Sequence, residues 1–254
     1  MKIVGIVPAR MAASRFPGKP LHPICGMPMV EHVFRRAAMF PAWDGLYLAT
    51  CDREIEELGI ARGWPVVMTS TLHTRALDRV AEGAAICGQS LGRDDVVVCV
   101  QGDEPMLHPD MIAASIRPLE EDPSTLCTVL AMHVIDEDVF RNPDTVKVVH
   151  DMKGDVLYTS RSPVPYCKTF SPALGARRIY GIFAFRWHFL QTFTALTPSP
   201  LELVESCDSN RIMDHGYRQR IAPYPARQSF SVDSPEDIEL VEASLRSDEL
   251  WGRY

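Results

Sequence analysis

Residues 2–21, KIVGIVPARMAASRFPGKPL, join a hydrophobic segment to a basic one. The first part, KIVGIVP, is rich in β-branched residues and predicts a buried strand. After Pro8 the chain becomes small and cationic, with Arg10, Arg15 and Lys19 set among alanines and prolines. A strand that runs into a small, basic loop places positive charge at the carboxyl end of a sheet, where ligands of α/β proteins bind.

The composition and net charge of the chain limit which ligands this loop could bind. The chain has 254 residues, of which 46% are hydrophobic and 23% charged, and a formal net charge of −7. These values are ordinary for a globular protein, and the negative charge argues against a general binder of nucleic acid or membrane surface. Any anion must therefore be held by a local group of basic residues, and residues 6–21 are the first candidate.

The apolar runs and the cysteines indicate the compartment of the protein. The longest apolar runs, such as VVVCV at 96–100, are far too short to cross a bilayer, and the first residues do not have the pattern of a signal peptide. The seven cysteines are odd in number and have no C-x-x-C spacing, while Cys99 and Cys127 lie in apolar, strand-like contexts. This pattern favours a reduced, cytoplasmic protein with neither a cysteine nucleophile nor a zinc site.

Strand-like and helical patterns alternate through the first half of the chain. Strands are predicted at KIVGIVP, GLYLAT, PVVMTS, DVVVCVQGD and TLCTVLAMHV, and helices at 29–39, 53–63, 77–87 and 108–122. Such alternation is typical of a mostly parallel sheet covered by helices on both faces.

The rhythm changes from about residue 145. Two short strands around a Lys-Gly-Asp turn, a strand at 177–187, a helix at 203–216 and a final helix opened by Ser234-Pro235-Glu236 are predicted there. We therefore predict one α/β domain over residues 1–254 with a smaller β-rich elaboration.

The opening loop has the residues needed to hold a triphosphate. Its small residues let backbone N–H groups approach a ligand, and its three cations add positive charge; the small residues are Ala9, Ala12, Ala13 and Gly18. The G-x-x-x-x-G-K-[ST] spacing of a Walker loop is absent. The alternative is a solvated basic turn with no ligand.

Two acidic segments complete the pattern. QGDEP (101–105) follows the most apolar strand, and Mg²⁺ is commonly bound by one or two carboxylates together with substrate phosphates. SVDSPED (231–237) supplies Asp233. Each has a simpler explanation, a turn at Asp103 and a helix cap at Asp233. Together with the basic loop, the two aspartates suggest metal-assisted nucleotidyl transfer.

The chain resembles the CMP-sugar synthetases, and among them the 3-deoxy-manno-octulosonate cytidylyltransferases (CMP-Kdo synthetases). The resemblance extends over nearly the whole chain. In order, the motifs that carry it are PARMAASRFPGKPL, VQGDEP, NPDTVKVV (142–149), YTSRSPVPY (158–166), TPSPLE (197–202) and VDSPED.

The resemblance implies a fold, a cofactor and partners. The fold is a Rossmann-like, mostly parallel sheet flanked by helices, of the nucleotide-diphospho-sugar transferase type. Residues from about 155 to 220 form an elaboration for acceptor binding and homodimerisation. The cofactor implied is Mg²⁺, and the partners are CTP and a small acidic acceptor rather than nucleic acid or membrane.

The resemblance also implies roles for particular residues, taken over from the matching motifs. Those implied for catalysis are Lys19, Arg10, Arg15 and Asp103. Those implied for nucleotide binding are Pro8, Ala9, Arg10, Arg15, Lys19, Arg75, Asp78 and Gln101. Those implied for acceptor binding are Gln101, Arg161, Tyr180, Glu205 and Asp208. Asp103 and Asp233 are the implied metal ligands.

Three segments depart from the family pattern. The His-x-Ser-Gly-Thr-(Asp/Glu)-Arg segment is His73-Thr-Arg-Ala-Leu-Asp78-Arg79 here, the histidine that leads the sugar-site strand is replaced at Ile179, and the Glu-Gln-Leu-Arg segment is 208–211, Asp-Ser-Asn-Arg. Either the octulosonic acid is bound by other groups, or the acceptor is a different acid, such as a small phosphonate like phosphonoformate, which Arg75, Arg177 and Arg178 would suit. The sequence favours the sugar acid. A non-catalytic CTP-binding module and a transferase of another base are further alternatives.

Overall fold

The computed structural model describes residues 1–12 and 15–254. Ala13, one of the small residues of the opening loop, therefore lies outside the described residues. Contacts divide the chain into two compact units. Unit 1 comprises Met1–Ala113 and Gln228–Tyr254, and unit 2 comprises Ala114–Arg227.

Unit 1 is built on a parallel sheet. Its strands are β1 (Ile3–Pro8), β4 (Gly45–Thr50), β5 (Val66–Met68) and β6 (Val96–Val100). β1 pairs in parallel with β4 on one side and β6 on the other, and β5 extends the sheet beyond β4. β1 and β6 are buried along their whole length, which explains why both are continuous runs of apolar residues.

Helices and one short hairpin complete unit 1. The helices are α1 (Met29–Ala38), α2 (Arg53–Ala61), α3 (Ala76–Ile86), the start of α4 (Pro109–Glu121) and α9 (Asp237–Arg246), and the hairpin joins β2 (Pro23–Ile24) to β3 (Met27–Pro28). A 3-10 turn, Lys19–Leu21, follows the opening loop. Gly18 precedes it with φ +76°, a left-handed conformation that favours glycine.

Unit 2 has a mixed sheet. Its strands are β7 (Cys127–His133), β8 (Lys147–His150), β9 (Val156–Ser160), β10 (Arg177–Arg186) and β11 (Arg220–Tyr224). β7 pairs antiparallel with β10 and parallel with β11, while β8 and β9 form the predicted hairpin. Its helices are α5 (Glu137–Arg141), α6 (Trp187–Ala195), α7 (Pro200–Glu205) and α8 (Ser209–Asp214).

Two predicted elements have different bounds in the structure. The single helix expected at 203–216 is two short helices, α7 and α8, because Ser206 adopts the left-handed conformation with φ +50° and interrupts the chain. The final helix starts at Asp237, later than the Ser-Pro-Glu segment suggested. Asp237 accepts hydrogen bonds from the N–H groups of Asp233 and Ser234, both at 2.8 Å, and so closes the turn before the helix.

No helix among residues 1–12 and 15–254 combines the length and the apolar character that a membrane span requires.

Candidate active site

Parallel pairing brings the opening loop and the QGDEP segment to one edge of the unit 1 sheet. β1 and β6 are neighbours that point the same way, so the residues after Pro8 and after Val100 leave the sheet together. Gly102 shows how close they are, because a Cβ atom placed on it would lie 2.6 Å from the carbonyl oxygen of Pro8. The absence of a side chain at Gly102 is therefore what lets the two segments touch.

This close approach gives a testable prediction. Gly102→Ala is expected to lower the free energy of unfolding by about 1–3 kcal/mol, since the clash is with backbone that cannot rotate away. The matched control is Gly92→Ala, whose Cβ would meet only the carboxylate of Asp95, at 3.4 Å or more. Denaturant unfolding measures both variants, and equal stabilities would contradict the tight contact.

A cavity of about 250 Å³ opens at this edge. It is lined by residues of three separate segments and by the first residues of two helices: Pro8, Ala9, Arg10, Arg15, Phe16, Lys19, Pro20, Met29, Ala76, Gln101, Gly102, Asp103 and Asp233. Every sequence-predicted cation of the opening loop and both predicted metal aspartates are among them. The structure therefore gathers these groups around one space, although they lie far apart in the chain.

Lys19 connects the segments. Its Nζ donates to Asp103 Oδ2 at 3.0 Å and to the carbonyl oxygen of Val232 at 2.6 Å. The Val232 N–H in turn donates to the Asp103 carbonyl oxygen at 3.0 Å. The Lys19 side chain is only 12% exposed, so it is held by these bonds and points toward the acidic segments. This three-way contact explains how residues 231–237 come to lie beside QGDEP.

Asp233 is not the cap of the last helix, whose N-cap position is Glu236. The Asp233 carboxylate instead pairs with Arg15, whose Nη2 lies 2.7 Å from Asp233 Oδ1. Both side chains are partly exposed, at 52% for Arg15 and 34% for Asp233. An ion pair this accessible to water is weak and easily exchanged for an incoming ligand.

Hydrophobic packing supports this edge from beneath. Ile24, Met29, Met106, Val232, Val241 and Leu245 form a buried cluster, against which Phe16, Phe230 and Ile238 pack. Phe16 and Met29 also line the cavity. The sequence did not predict these two residues as part of the site, because Phe and Met are also common in an ordinary hydrophobic core.

The backbone of the opening loop is partly engaged. The N–H of Ala9 donates to the carbonyl oxygen of Ala49 at 2.9 Å, and that of Gly18 donates to the carbonyl oxygen of Met11 at 3.0 Å. The N–H of Met11 donates to Asp52 Oδ2 at 2.8 Å. The N–H groups of Ala9 and Gly18, which were expected to face a ligand, are thus bonded within the protein. The positive charge that lines the cavity comes from side chains. Contact of Pro8 and Ala9 with a nucleotide remains a prediction.

The segment that departs most from the family pattern reaches the cavity at Ala76, the first residue of α3. Arg75 and Asp78 flank it and are half-buried. Arg10 Nη1 and Arg79 Nη2 donate to the same carbonyl oxygen, that of His73, at 3.5 and 3.4 Å. The Arg10 side chain thus ties this segment to the opening loop, and Arg79 links the two ends of the segment.

His73 is fixed by a carboxylate on α3. Its Nε2 lies 2.5 Å from Glu82 Oε2, which also accepts the N–H of Ser70 at 2.8 Å. The bond from Ser70, assisted by His73, lowers the pKa of Glu82 against the opposing effect of burial. Glu82 therefore holds the residues before α3 in place.

The predicted acceptor residues lie in unit 2. Glu205 accepts from Tyr158 Oη and Ser160 Oγ, both at 2.7 Å, and from the Arg161 N–H at 2.8 Å. Burial alone would raise the pKa of Glu205, but these three bonds together outweigh it, so the pKa is lowered from its usual value. Tyr180 is 1% exposed and Asp208 is half-buried at the start of α8. Their contact with an acceptor remains a prediction.

Comparisons with known proteins identify the family of the chain. A family model described as cytidylyltransferase matches residues 4–222. The 3-deoxy-manno-octulosonate cytidylyltransferase of Syntrophus aciditrophicus is 39% identical over 240 residues, covering 94% of this chain and 96% of the relative. That of Syntrophotalea carbinolica is 39% identical over 254 residues, covering 97% and 99%.

Solved structures extend the comparison. A CMP:2-keto-3-deoxy-manno-octonic acid synthetase complexed with CTP has a TM-score of 0.86 and 33% identity, covering 97% of this chain and 99% of that one. A 4-diphosphocytidyl-2C-methyl-D-erythritol synthase from Anaerococcus prevotii has a TM-score of 0.64 at 16% identity, which shows a common fold alone. The predicted Rossmann-like, mostly parallel fold is thereby confirmed.

The fold and these relatives define the protein as a nucleotidyltransferase. Within that class, the chain belongs to the cytidylyltransferase family, and the resemblance to CMP-sugar synthetases, the CMP-Kdo synthetases in particular, is confirmed.

Proposed function

We propose that the protein transfers CMP from CTP to a 3-deoxy-octulosonic acid, Kdo or an analogue of it, and releases pyrophosphate. The observation that carries this proposal is the convergence of three loop cations and two distant aspartates on one cavity. The curated relatives quoted above are named for cytidylyl transfer to 3-deoxy-manno-octulosonate, over almost the full length of both chains.

The cavity cations fit the charge changes of this reaction. A hydroxyl oxygen of the acceptor attacks the α-phosphorus in line and loses its proton to solvent, the bond to the bridging oxygen of the β-phosphate breaks, and pyrophosphate leaves with the bonding electrons. Arg10, Arg15 and Lys19 bind the triphosphate and stabilise the charge that develops on it. Pro8, Ala9, Arg75, Asp78 and Gln101 contact the nucleotide. No covalent intermediate on the enzyme is needed.

Asp103 and Asp233 fit a magnesium ion that arrives with the nucleotide. Both carboxylates line the cavity, and among the described residues no group of three or more His, Cys, Asp or Glu side chains could hold a metal without help. Two carboxylates plus substrate phosphates are a common Mg²⁺ environment. When bound, the ion supplies Lewis-acid stabilisation of the phosphate oxygens.

The ion pairs of the cavity affect how this ligand binds. Lys19 is paired with Asp103 and Arg15 with Asp233, so two of the three cations assigned to the triphosphate already hold the two carboxylates assigned to the metal. A metal–triphosphate complex brings partners of both signs, and each pair can exchange into it without leaving an unpaired charge. The metal alone would supply a new partner only for the carboxylates, and CTP alone only for the cations.

We assign the acceptor to the β-rich elaboration, residues 155–220, which also forms the homodimer contact. Arg161 binds the acceptor carboxylate, assisted by Tyr180, Glu205 and Asp208, and Gln101 serves both substrates. The Arg161 side chain is 33% exposed, so it is accessible to a small acid. Sedimentation at micromolar concentration tests the dimer, for which a monomer would be the contrary result.

The sugar acid is favoured over a phosphonate by the placement of two arginines. Arg177 Nη1 donates to the carbonyl oxygen of Ala131 at 3.0 Å, and burial lowers its pKa. Arg178 Nη2 lies 3.3 Å from Met132 Sδ, and its guanidinium lies over the ring of Tyr180. Both arginines make contacts within unit 2, so neither is held ready for a more highly charged acceptor such as a phosphonate.

An acceptor panel tests the proposal. With CTP and Mg²⁺, we expect pyrophosphate release with Kdo or its amino analogue, little with N-acetylneuraminate or phosphonoformate, and none after chelation by EDTA. ATP, GTP and UTP should not replace CTP.

Three outcomes would contradict the proposal. Turnover of phosphonoformate alone would overturn the acceptor, and full activity in EDTA would overturn the metal. CTP binding without turnover of any acceptor would favour the non-catalytic module.

A further inference from the structure

Lys147, in the NPDTVKVV segment, is a buried charge to which the reaction gives no role. It lies in β8 and its residue is 0% exposed, which makes it one of the largest fully buried side chains of the protein. A buried ammonium group is costly unless its donors are satisfied. Its partners therefore show what it does.

Three backbone carbonyl oxygens surround the Lys147 amine. Nζ donates to Asn142 O at 2.7 Å, to Thr145 O at 2.5 Å and to Arg161 O at 2.6 Å. An ammonium group has three N–H donors, so carbonyls and donors match one for one. Lys147 thereby fastens the turn at 142–145 to the residue that follows β9.

The residue fastened in this way is Arg161, and the same turn also holds its guanidinium. Nη1 donates to Pro143 O at 3.0 Å and Nε to Glu205 O at 2.9 Å. The Arg161 N–H donates to Glu205 Oε2 at 2.8 Å. Among the described residues, Nη2 has no hydrogen-bond partner. Arg161 is thus fixed on two sides and keeps one amino group for a ligand.

We propose that Lys147 is a positioning residue for Arg161: by holding the 142–145 turn and the Arg161 carbonyl together, it orients the guanidinium toward the carboxylate of the acceptor. This inference deepens the proposed function and rests on it, because it takes Arg161 as the group that binds the acidic acceptor. Lys147 itself does not touch substrate.

The charge state of Lys147 makes the positioning of Arg161 depend on pH. Burial, and then the positive charge of Arg161, lower the pKa of Lys147 to about 8, while Glu205 acts in the opposite direction. Two other groups lie near this network: Asp144, 3.9 Å from Arg161 Nη1, and Tyr158, whose pKa is raised by its bond to Glu205. A neutral amine has two N–H donors for three carbonyls. The positioning is therefore complete below about pH 8 and weakens as the pH rises through that value.

Lys147→Met tests the proposal, with Lys153→Met as the matched control, because Lys153 is an exposed lysine of the same hairpin. With Kdo as the acceptor, at pH 7, we expect the acceptor KM of Lys147→Met to rise by about tenfold or more, as the loss of hydrogen bonds to a charged group implies. The KM for CTP should change less than about twofold, since unit 1 supplies its cations. Lys153→Met should match the wild type.

A double-mutant cycle separates positioning from a general loss of structure. In an Arg161→Ala background, Lys147→Met should raise the acceptor KM no further. The wild-type kcat/KM for the acceptor should fall above pH 8, and Arg161→Ala should lack this step, which keeps the test usable if Lys147→Met does not fold. An unchanged acceptor KM, full additivity, or a step that survives in Arg161→Ala would overturn the inference. If the wild type turns over no acidic acceptor, the proposed function itself fails, and this inference with it.

Discussion

Replacing Asp103 with asparagine is expected to lower kcat by about 10³-fold or more while leaving the protein folded. Asn keeps the size of the side chain but removes the charge that pairs with Lys19 at 3.0 Å and that would bind the metal beside Asp233. The pair is partly exposed, so its loss should cost less than about 1 kcal/mol of stability. A large loss of turnover with little loss of stability is therefore the signature of this site.

Two measurements check this result. Pyrophosphate release gives kcat, and titration with Mn²⁺ in the presence of CTP should show weaker metal binding in Asp103→Asn than in the wild type. Asp110→Asn is the control, because its side chain is 54% exposed and does not line the cavity. A kcat of Asp103→Asn within about tenfold of the wild type would refute the assigned role.

Lys19→Ala is expected to have the second largest effect. Lys19 is less exposed than Arg15, the other cation of the cavity that pairs with an aspartate, and it holds two segments together through Asp103 and the Val232 carbonyl. Its removal should lower kcat by about 10²–10³-fold, because a preorganised positive charge is lost where the triphosphate reacts. It should also raise the KM for CTP, and stability should fall by about 1–2 kcal/mol as the Val232 carbonyl loses its charged donor.

A control and a conservative change make this prediction specific. Lys168→Ala removes an exposed lysine of unit 2 and should leave both constants unchanged. Lys19→Arg should keep most of the stability, because arginine can still donate to the Val232 carbonyl. It should keep less of the kcat, because a planar guanidinium does not place its charge where the ammonium does. Equal KM values for CTP in Lys19→Ala and the wild type would contradict nucleotide binding by this residue.

Much of unit 1 could be predicted from the sequence because its strands are strongly patterned. β1 and β6 are apolar along their whole length, and parallel pairing of such strands forces the segments after them to one edge. The cations of the opening loop and Asp103 were therefore correctly expected to lie together. Asp233 was selected for its residue type and not for a predicted position, since the Lys19–Val232 and Val232–Asp103 bonds that place it leave no trace in local sequence.

Other features could not be predicted because tertiary contacts override local preference. Nothing in the sequence around Ser206 marks the left-handed residue that separates α7 from α8. β11 contains Pro223, which argues against a strand, yet it pairs in parallel with β7. The valine-rich VKVV segment predicted β8, but not that Lys147 would be buried under three carbonyls.

The central claim is that one cavity, lined by Lys19, Asp103 and Asp233, is where the nucleotide reacts. A crystal structure with CTP and Mg²⁺ tests it most directly. We expect the triphosphate to bind against Lys19, Arg10 and Arg15, and a metal ion to be held by Asp103 and Asp233. A triphosphate bound elsewhere, or a metal bound to neither Asp103 nor Asp233, would contradict it.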